Sequence, residues 1–425
     1  MLAQSASGVM TRVTTRCCIA GGGPAGMMAG LLLARAGVDT IVLEKHRDFL
    51  RDFRGDTVHP STLELMHELG VLEDFLKRPH QEVRQIGGDI DGNHVTVADF
   101  THLPTRCKFV ALMPQWEFLD FLADEARRYP TFRLFMNADV VGLRQSGGTI
   151  TGVEVRTPDG DMAVDATLTV GADGRRSLVR ERAGLAVRTL GAPIDVLWMR
   201  LSRRDTDRAE TLGVIRSGRV FVMLNRGDYW QCAFVIPKGA FDELRRRGLE
   251  AFREDIASMA PFLSDRVGEL RMWDDVKLLT VIVDRLQRWY APGLLCIGDA
   301  AHAMSPIGGV GINLAVQDAV AAANLLYQPL RDGVVSPENL AAVERRRLLP
   351  TRLTQAAQVA IQRHVLAPVI GGRRGERIAL PFPVRMLRRY PILRRIPARL
   401  VGIGVRPEHI RTPDAFAASG SAGYN

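Results

Sequence analysis

Three short runs of glycine and acid hold the residue types best suited to bind a large, polar, partly anionic ligand. Gly21-Gly22-Gly23-Pro24-Ala25-Gly26 is followed by Glu44. Gly171-Ala172-Asp173-Gly174 is followed by Ser177 and Arg180, and Gly298-Asp299 by Pro306 and a glycine-rich turn ending at Gly311-Ile312-Asn313. Asp299 can accept hydrogen bonds from sugar or ribityl hydroxyls. The amides of Gly311, Ile312 and Asn313 open a helix, where the macrodipole favours negative charge. A reduced flavin carries such charge at N1 and its C2 carbonyl. Taken alone, the third run reads equally well as a flexible connection between a strand and a core helix.

The elements around these runs narrow the chemistry. A short apolar strand, 16–20, precedes the first run, an Ala-rich helix to Ala36 follows it, and a strand at 38–43 ends in Glu44. Strand, Gly-x-Gly-x-x-Gly, helix, strand and an acid roughly 20 residues on make a dinucleotide-binding unit. The first glycine makes the turn, the second admits a pyrophosphate, and the third lets helix and strand pack. Glu44 would hold the adenosine ribose hydroxyls, which argues for FAD or NAD over NADP at this site. A second strand ends in the 171–174 run, with Ser177 and Arg180 opening a helix. Strand 294–297 leads into the third run, and helix 312–326 follows it.

Elsewhere, 82–100 reads as a hairpin about Asp91-Gly92, 61–69 and 115–128 as helices, and 132–170 as an antiparallel meander. Residues 187–238 are β-rich, 241–259 helical, and 270–286 strand. After Asn324 the chain is helical and basic, cut by Pro381, Pro383, Pro391 and Pro397, with a loose tail at 415–425. Arg54 sits in a polar loop, where it could reach a pyrophosphate or a nicotinamide cofactor, or stand simply as a surface arginine. Gln115 begins a helix, where it could bond a cofactor or cap. His59, before Pro60, reads as a capping or core histidine.

Composition sets the outer bounds. With 425 residues and 46% hydrophobic content, the chain has the makeup of a soluble globular protein. No apolar run approaches the roughly 18 residues of a membrane span, and the first 15 residues lack a signal-like core. The five cysteines lack Cys-x-x-Cys spacing, which suggests reduced thiols in a cytoplasmic protein and gives no support to a metal site. The net charge of +9 is concentrated late, in arginine pairs such as Arg388-Arg389 and Arg394-Arg395. No nucleic-acid motif accompanies it.

Together the three runs resemble the three signatures of group A flavoprotein monooxygenases, the para-hydroxybenzoate and ubiquinone-biosynthesis hydroxylase superfamily. The resemblance extends from Arg16 to about Leu326. Arg406-Pro-Glu-His-Ile-Arg411 is similar to some bacterial members. It implies an α/β fold: a Rossmann-like FAD-binding domain of glutathione-reductase type with an inserted β-meander, plus a β-sheet substrate domain. The expected division is 12–80, 105–185 and 287–350 for FAD, 81–104 and 186–286 for substrate, and a helical basic segment at 351–425. Gly21, Gly23, Pro24, Ala25 and Gly26 would hold the pyrophosphate, and Glu44, beside Lys45, the ribose. Arg54 and Gln115 fall where the family contacts FAD, Asp173 in a motif it uses for both FAD and NAD(P)H. Arg176 or Arg180 would help with the nicotinamide cofactor. Asp299, Gly311, Ile312 and Asn313 would bind the remainder of FAD, with Pro306 and Gly311 at the reacting edge.

The implied reaction is NADPH- or NADH-driven reduction of FAD, addition of O2 to give a C4a-hydroperoxide, and hydroxylation of an aromatic or other electron-rich small molecule. Trp198, Met223, Asn225 and Trp230 are candidates to line its site, although each reads equally well as core. Competing readings are a flavin reductase of a lipophilic substrate, a flavin halogenase, and a non-catalytic flavoprotein. The halogenase is disfavoured because 229–237 lacks paired tryptophans. The basic C-terminal region reads as a packed cover in preference to a membrane contact, given its prolines. A monomer or homodimer is expected.

Overall fold

The computed structural model describes residues 11–50, 57–207, 211–372, 378 and 380–417. Arg54 lies outside these. Strand β1 (Thr11–Ala20) leads through the first glycine run into α1 (Pro24–Arg35) and β2 (Thr40–Leu43). Helix α2 (Pro60–Glu68) and strands β3 (Phe132–Phe135), β4 (Gly160–Gly171) and β5 (Leu294–Cys296) follow, then α3 (Gly311–Asp332) and α4 (Pro337–Ile361).

The first sheet places β5, β4, β1, β2 and β3 side by side, all parallel. Ala20 pairs with both Leu43 and Gly171, and Gly171 pairs with Cys296, so the carboxyl ends of these strands stand level. In such a sheet the crevice beyond the strand ends is where ligands bind. Asp139–Ser146 and Thr149–Thr157 extend from β4 as antiparallel strands. Only part of 132–170 is therefore a meander, because Phe132–Phe135 aligns parallel to β2 in the main sheet. Helices α1 and α3 are buried along most of their length by Leu, Met, Val and Ala. A helix apolar on all sides belongs in a core.

A second sheet of seven strands joins Gln85–Ile90 and Asn93–Asp99 to Ile194–Ser202, Leu212–Arg216, Arg219–Asn225, Tyr229–Pro237 and Lys277–Leu279. Helices Phe241–Arg247 and Leu249–Met259 cover one face, packing Phe252 and Ile256 with Phe221, Met223 and Trp230. Val196, Val220 and Val235 on the other face meet Val283 and Ile370.

Several expectations need correction. Residues 270–286 hold only two three-residue strands, because the Asp275 carboxylate accepts from the amides of Arg271 (2.7 Å) and Met272 (3.0 Å) and folds the chain into a turn. Helix α3 continues past Leu326 until Gly333, at φ +80°, ends it in the left-handed region. The boundary expected at 350/351 falls inside α4. One helix, Ile307–Asp332, does reach the length and mean hydropathy (1.3) of a membrane span, but 72% of that window is buried within the fold. Among the described residues no cluster of His, Cys, Asp or Glu could hold a metal ion.

Candidate functional site

The three glycine-and-acid corners meet because their strands are neighbours. Gly21 N donates to Leu43 O (2.8 Å), Ala172 N to Ala20 O (2.8 Å), and Ile297 N to Gly171 O (2.9 Å). Gly21 has φ +108°, and a Cβ there would stand 2.4 Å from Ala172 O. A Cβ on Gly26 would lie 1.9 Å from Gly21 O, so this position sets how closely α1 approaches β1.

The donor set fits FAD. Helix α1 starts at Gly23-Pro24 and α3 at Val310-Gly311; neither has a side-chain cap or an acid in its first turn. Four amides at a helix start need partners. A Cβ on Gly23 or Gly311 would meet nothing within 4 Å, so both backbones face open space. Two uncapped helix starts beside one strand edge suit a pyrophosphate and the electron-rich edge of a flavin ring. Pro24 and Ala25 form the first turn of α1, and Ile312 that of α3.

The acids are held in place. Glu44 is buried, its carboxylate accepting from Gly22 N (3.0 Å) and His46 N (3.1 Å), while Lys45 beside it is exposed. Asp299 accepts from Arg175 Nε at 2.9 Å, which ties the second signature to the third. Asp173 accepts from Val179 N (3.1 Å) and so caps a helix, leaving its Oδ1 buried without a partner. Burial is the largest influence on that carboxyl and raises its pKa against the hydrogen bonds from Ser177 and Val179. Arg180 is engaged by protein groups: Nη1 donates to Ala300 O (3.3 Å), and Nη2 lies 3.7 Å from Asp284. Arg176 is exposed. Gln115 opens the helix Gln115–Arg127 after strand Val110–Leu112, which pairs with Thr57–Val58 beside α3.

Asn313 works through its side chain as well as its amide. Its Oδ1 accepts from His59 N (3.0 Å) and Thr62 Oγ1 (2.7 Å), locking the start of α3 to that of α2. His59 donates from Nδ1 to Val401 O (2.7 Å), and its buried Nε2 has no partner. Burial lowers its pKa to about 4, the Val401 bond opposing this. Pro306 begins a turn whose Gly309 carbonyl accepts from Thr57 Oγ1 (2.7 Å).

Sequence reasoning missed what secures this turn. Gln355, Gln358 and Gln362 share one face of α4 and its continuation, spaced by three and four residues. Gln358 Nε2 donates to Ser305 O (3.0 Å) and Ile307 O (2.9 Å), and its Oε1 accepts from Ser305 N (3.1 Å). Gln362 donates to Ser305 Oγ (2.7 Å), and Gln355 to Ala303 O (3.1 Å) and Asp284 O (2.7 Å). The spacing of three glutamines was the signal available. A buried chain of charge lies behind them. Asp318 Oδ2 faces His302 Nε2 (2.5 Å) and accepts from Gly298 N (3.1 Å); Arg347 bridges Asp318 (3.0 Å) to Glu408 (3.2 Å). Burial works to raise the Asp318 pKa, but His302 and Arg347 prevail and hold it below the usual range.

The expected substrate residues divide by strand parity. Met223, Asn225 and Trp230 lie on the face covered by the 241–259 helices, where Trp230 Nε1 donates to Asp207 (3.0 Å) and Asn225 Oδ1 accepts from Gly227 N (2.8 Å). Only Trp198 lies on the opposite face, beside Val196, Val222 and the chain that follows α4. A cleft of about 990 Å³ lined by Arg12, Arg16, Asp39 and Asp165 sits at the far end of the strands from the glycine corners.

The family described as "FAD binding domain" matches residues 14–357. A 6-methylpretetramide 4-monooxygenase from Streptomyces rimosus is 34% identical over 357 residues, 83% of this chain and 85% of that protein. A dialkyldecalin synthase from Streptomyces rugosporus is 29% identical over 71% of this chain, which spans 63% of that protein. The solved structure of OxyS anhydrotetracycline hydroxylase from Streptomyces rimosus superposes with a TM-score of 0.71 at 24% identity, covering 93% of this chain and 77% of that one, and establishes the shared fold. With three signature corners converging on two uncapped helix starts, this chain belongs to the FAD-binding family of flavoprotein monooxygenases.

Proposed function

We propose that the enzyme uses NADPH or NADH, FAD and O2 to hydroxylate an electron-rich, lipophilic, polycyclic aromatic compound. The observation that carries this reading is the convergence of three corners on the uncapped starts of α1 and α3. The substrate class is supported by the relative's action on 6-methylpretetramide. When bound, FAD supplies hydride acceptance from the nicotinamide cofactor and the activation of O2.

In this reading, the backbone at Gly23 and Ala25 holds the pyrophosphate, Pro24 starts the helix, Gly26 lets α1 approach β1, and Glu44 holds the ribose. Asp299, steadied by Arg175, takes hydroxyls of the linking chain. The amides of Gly311, Ile312 and Asn313 stabilise negative charge at the ring. Pro306 borders the substrate, fixed by Gln358 and Gln362. Keeping water from the ring would stop reducing power from being diverted to hydrogen peroxide. The five buried, unpaired thiols support a cytoplasmic setting.

The test is a screen of aromatic polycycles and simple phenols, following NADH and NADPH oxidation, O2 uptake and product mass together. A ligand that stimulates oxidation and gains one oxygen atom supports the proposal. Reduction of a ligand without O2 uptake would establish a reductase instead.

A further inference from the structure

The segment 380–400 leaves its apolar side chains facing outward. Phe382, Tyr390, Ile392, Ile396 and Leu400 are 48–65% exposed, in a stretch of fewer than 20 residues. Between them stand Arg385, Arg388, Arg389, Arg394, Arg395 and Arg399, and the sequence has no Asp or Glu from 377 to 407. No carboxylate among the described residues pairs with any of the six arginines. Arg388 donates to Asn93 Oδ1 (3.3 Å), Arg394 to Leu387 O (3.0 Å), and Arg385 and Arg389 lie 5.9 Å from the rings of Phe382 and Tyr390.

The prolines do not prevent helices here. Pro383 and Pro391 fall in the first turns of Phe382–Arg389 and Pro391–Arg394, where a missing N–H costs nothing. The inner side of the next helix, Arg395–Gly402, is anchored. Ala398 is buried, the Val401 carbonyl accepts from His59, and a Cβ on Gly308 would lie 3.8 Å from Val401 Cγ2. One side of this segment thus touches the Pro306 turn, while the other presents apolar residues and unneutralised guanidinium groups.

Exposed aliphatic and aromatic residues interleaved with arginine suit the interface of a bilayer bearing anionic lipid. We propose that the 382–400 face seats the enzyme on an anionic phospholipid surface, with Phe382, Ile392, Ile396 and Leu400 in the headgroup–acyl boundary and the arginines at phosphates. A water-soluble acidic protein would match the charge but leave the aliphatic side chains poorly covered. The inference is independent of the hydroxylase reading, since binding is measured without turnover.

The test is sedimentation of the FAD-loaded, full-length enzyme with phosphatidylcholine vesicles and with vesicles also containing phosphatidylglycerol, at low and high salt. The wild type should partition at least about tenfold more onto the anionic vesicles, and salt should weaken this. Arg388→Glu with Arg395→Glu, and separately Ile392→Ser with Ile396→Ser, should each abolish the difference while leaving flavin content and solubility unchanged. A wild type that stays in the supernatant overturns the proposal. So does an Ile392→Ser/Ile396→Ser variant that binds as the wild type does, since simple charge attraction then suffices. A dimer in size-exclusion chromatography that the same serine pair dissociates would assign the face to a second copy.

Discussion

Arg175 and Asp299, 124 residues apart, form an ion pair at 2.9 Å across the mouth of the crevice, each side chain about a third exposed. It puts a guanidinium group on the one acid of the third signature, and so orients that carboxylate.

Asp299→Ala should therefore lose FAD during purification, with the dissociation constant raised at least about tenfold, in line with loss of a hydrogen bond to a charged group. Arg175→Ala should have a smaller effect. Absorbance of the bound flavin and a fluorescence titration decide it; an Asp299→Ala protein that retains full flavin sinks the assignment.

Two glycines of one motif should fail in different ways. A Cβ on Gly23 meets nothing within 4 Å, so Gly23→Ala should fold with wild-type stability yet bind FAD poorly. Gly26→Ala collides with Gly21 O at 1.9 Å and should cost roughly 3 kcal/mol or more in urea unfolding. Equal stability of the two variants would contradict this.

Asn313→Ala leaves His59 N and Thr62 Oγ1 without their acceptor, and we expect a loss of about 2–4 kcal/mol. Adding Thr62→Val should cost less than it does alone, because one stranded donor is then gone. Simple additivity in denaturation would refute the shared bond.

His59 gives a pH dependence with a definite sign. Burial holds its folded pKa at about 4 against 6.5 for the free group. Between those values the unfolded chain binds more protons, so stability falls as pH drops from 6.5 to 4 and is fully present above 6.5. The loss is up to about 3 kcal/mol. His59→Asn should remove that slope, which a comparison of unfolding free energies across the window will show; parallel curves for the two proteins would count against it.

Gln358→Leu removes three hydrogen bonds from the Ser305–Ile307 backbone. The Pro306 turn should loosen, raising the share of hydrogen peroxide per NAD(P)H consumed severalfold while KM for the nicotinamide cofactor stays near wild type. A peroxide assay beside product quantification tests this, and unchanged coupling would show the turn to be held by other means.

The cofactor corners are legible in the chain alone. The first, second and third signatures are local backbone patterns, and the geometry that glycine permits at Gly21 and Gly26 is written in adjacent residues. The sequence also marked α1, β2, the inner half of β1 and a helix after Gly311, since 17–20, 41–43 and most of 24–35 are apolar and the stretch after Gly311 is rich in Ala, Val and Leu. What covers each face of the second sheet is settled by packing alone. Met223 and Trp198 are both apolar strand residues, and a single step of strand parity separates a residue under the 241–259 helices from one beside the chain after α4. The glutamine supports of Pro306 and the chain from His302 through Asp318 and Arg347 to Glu408 were hidden for a related reason. Each joins residues tens of positions apart, and composition or periodicity records what a side chain is, whereas its partner is chosen by how the helices pack.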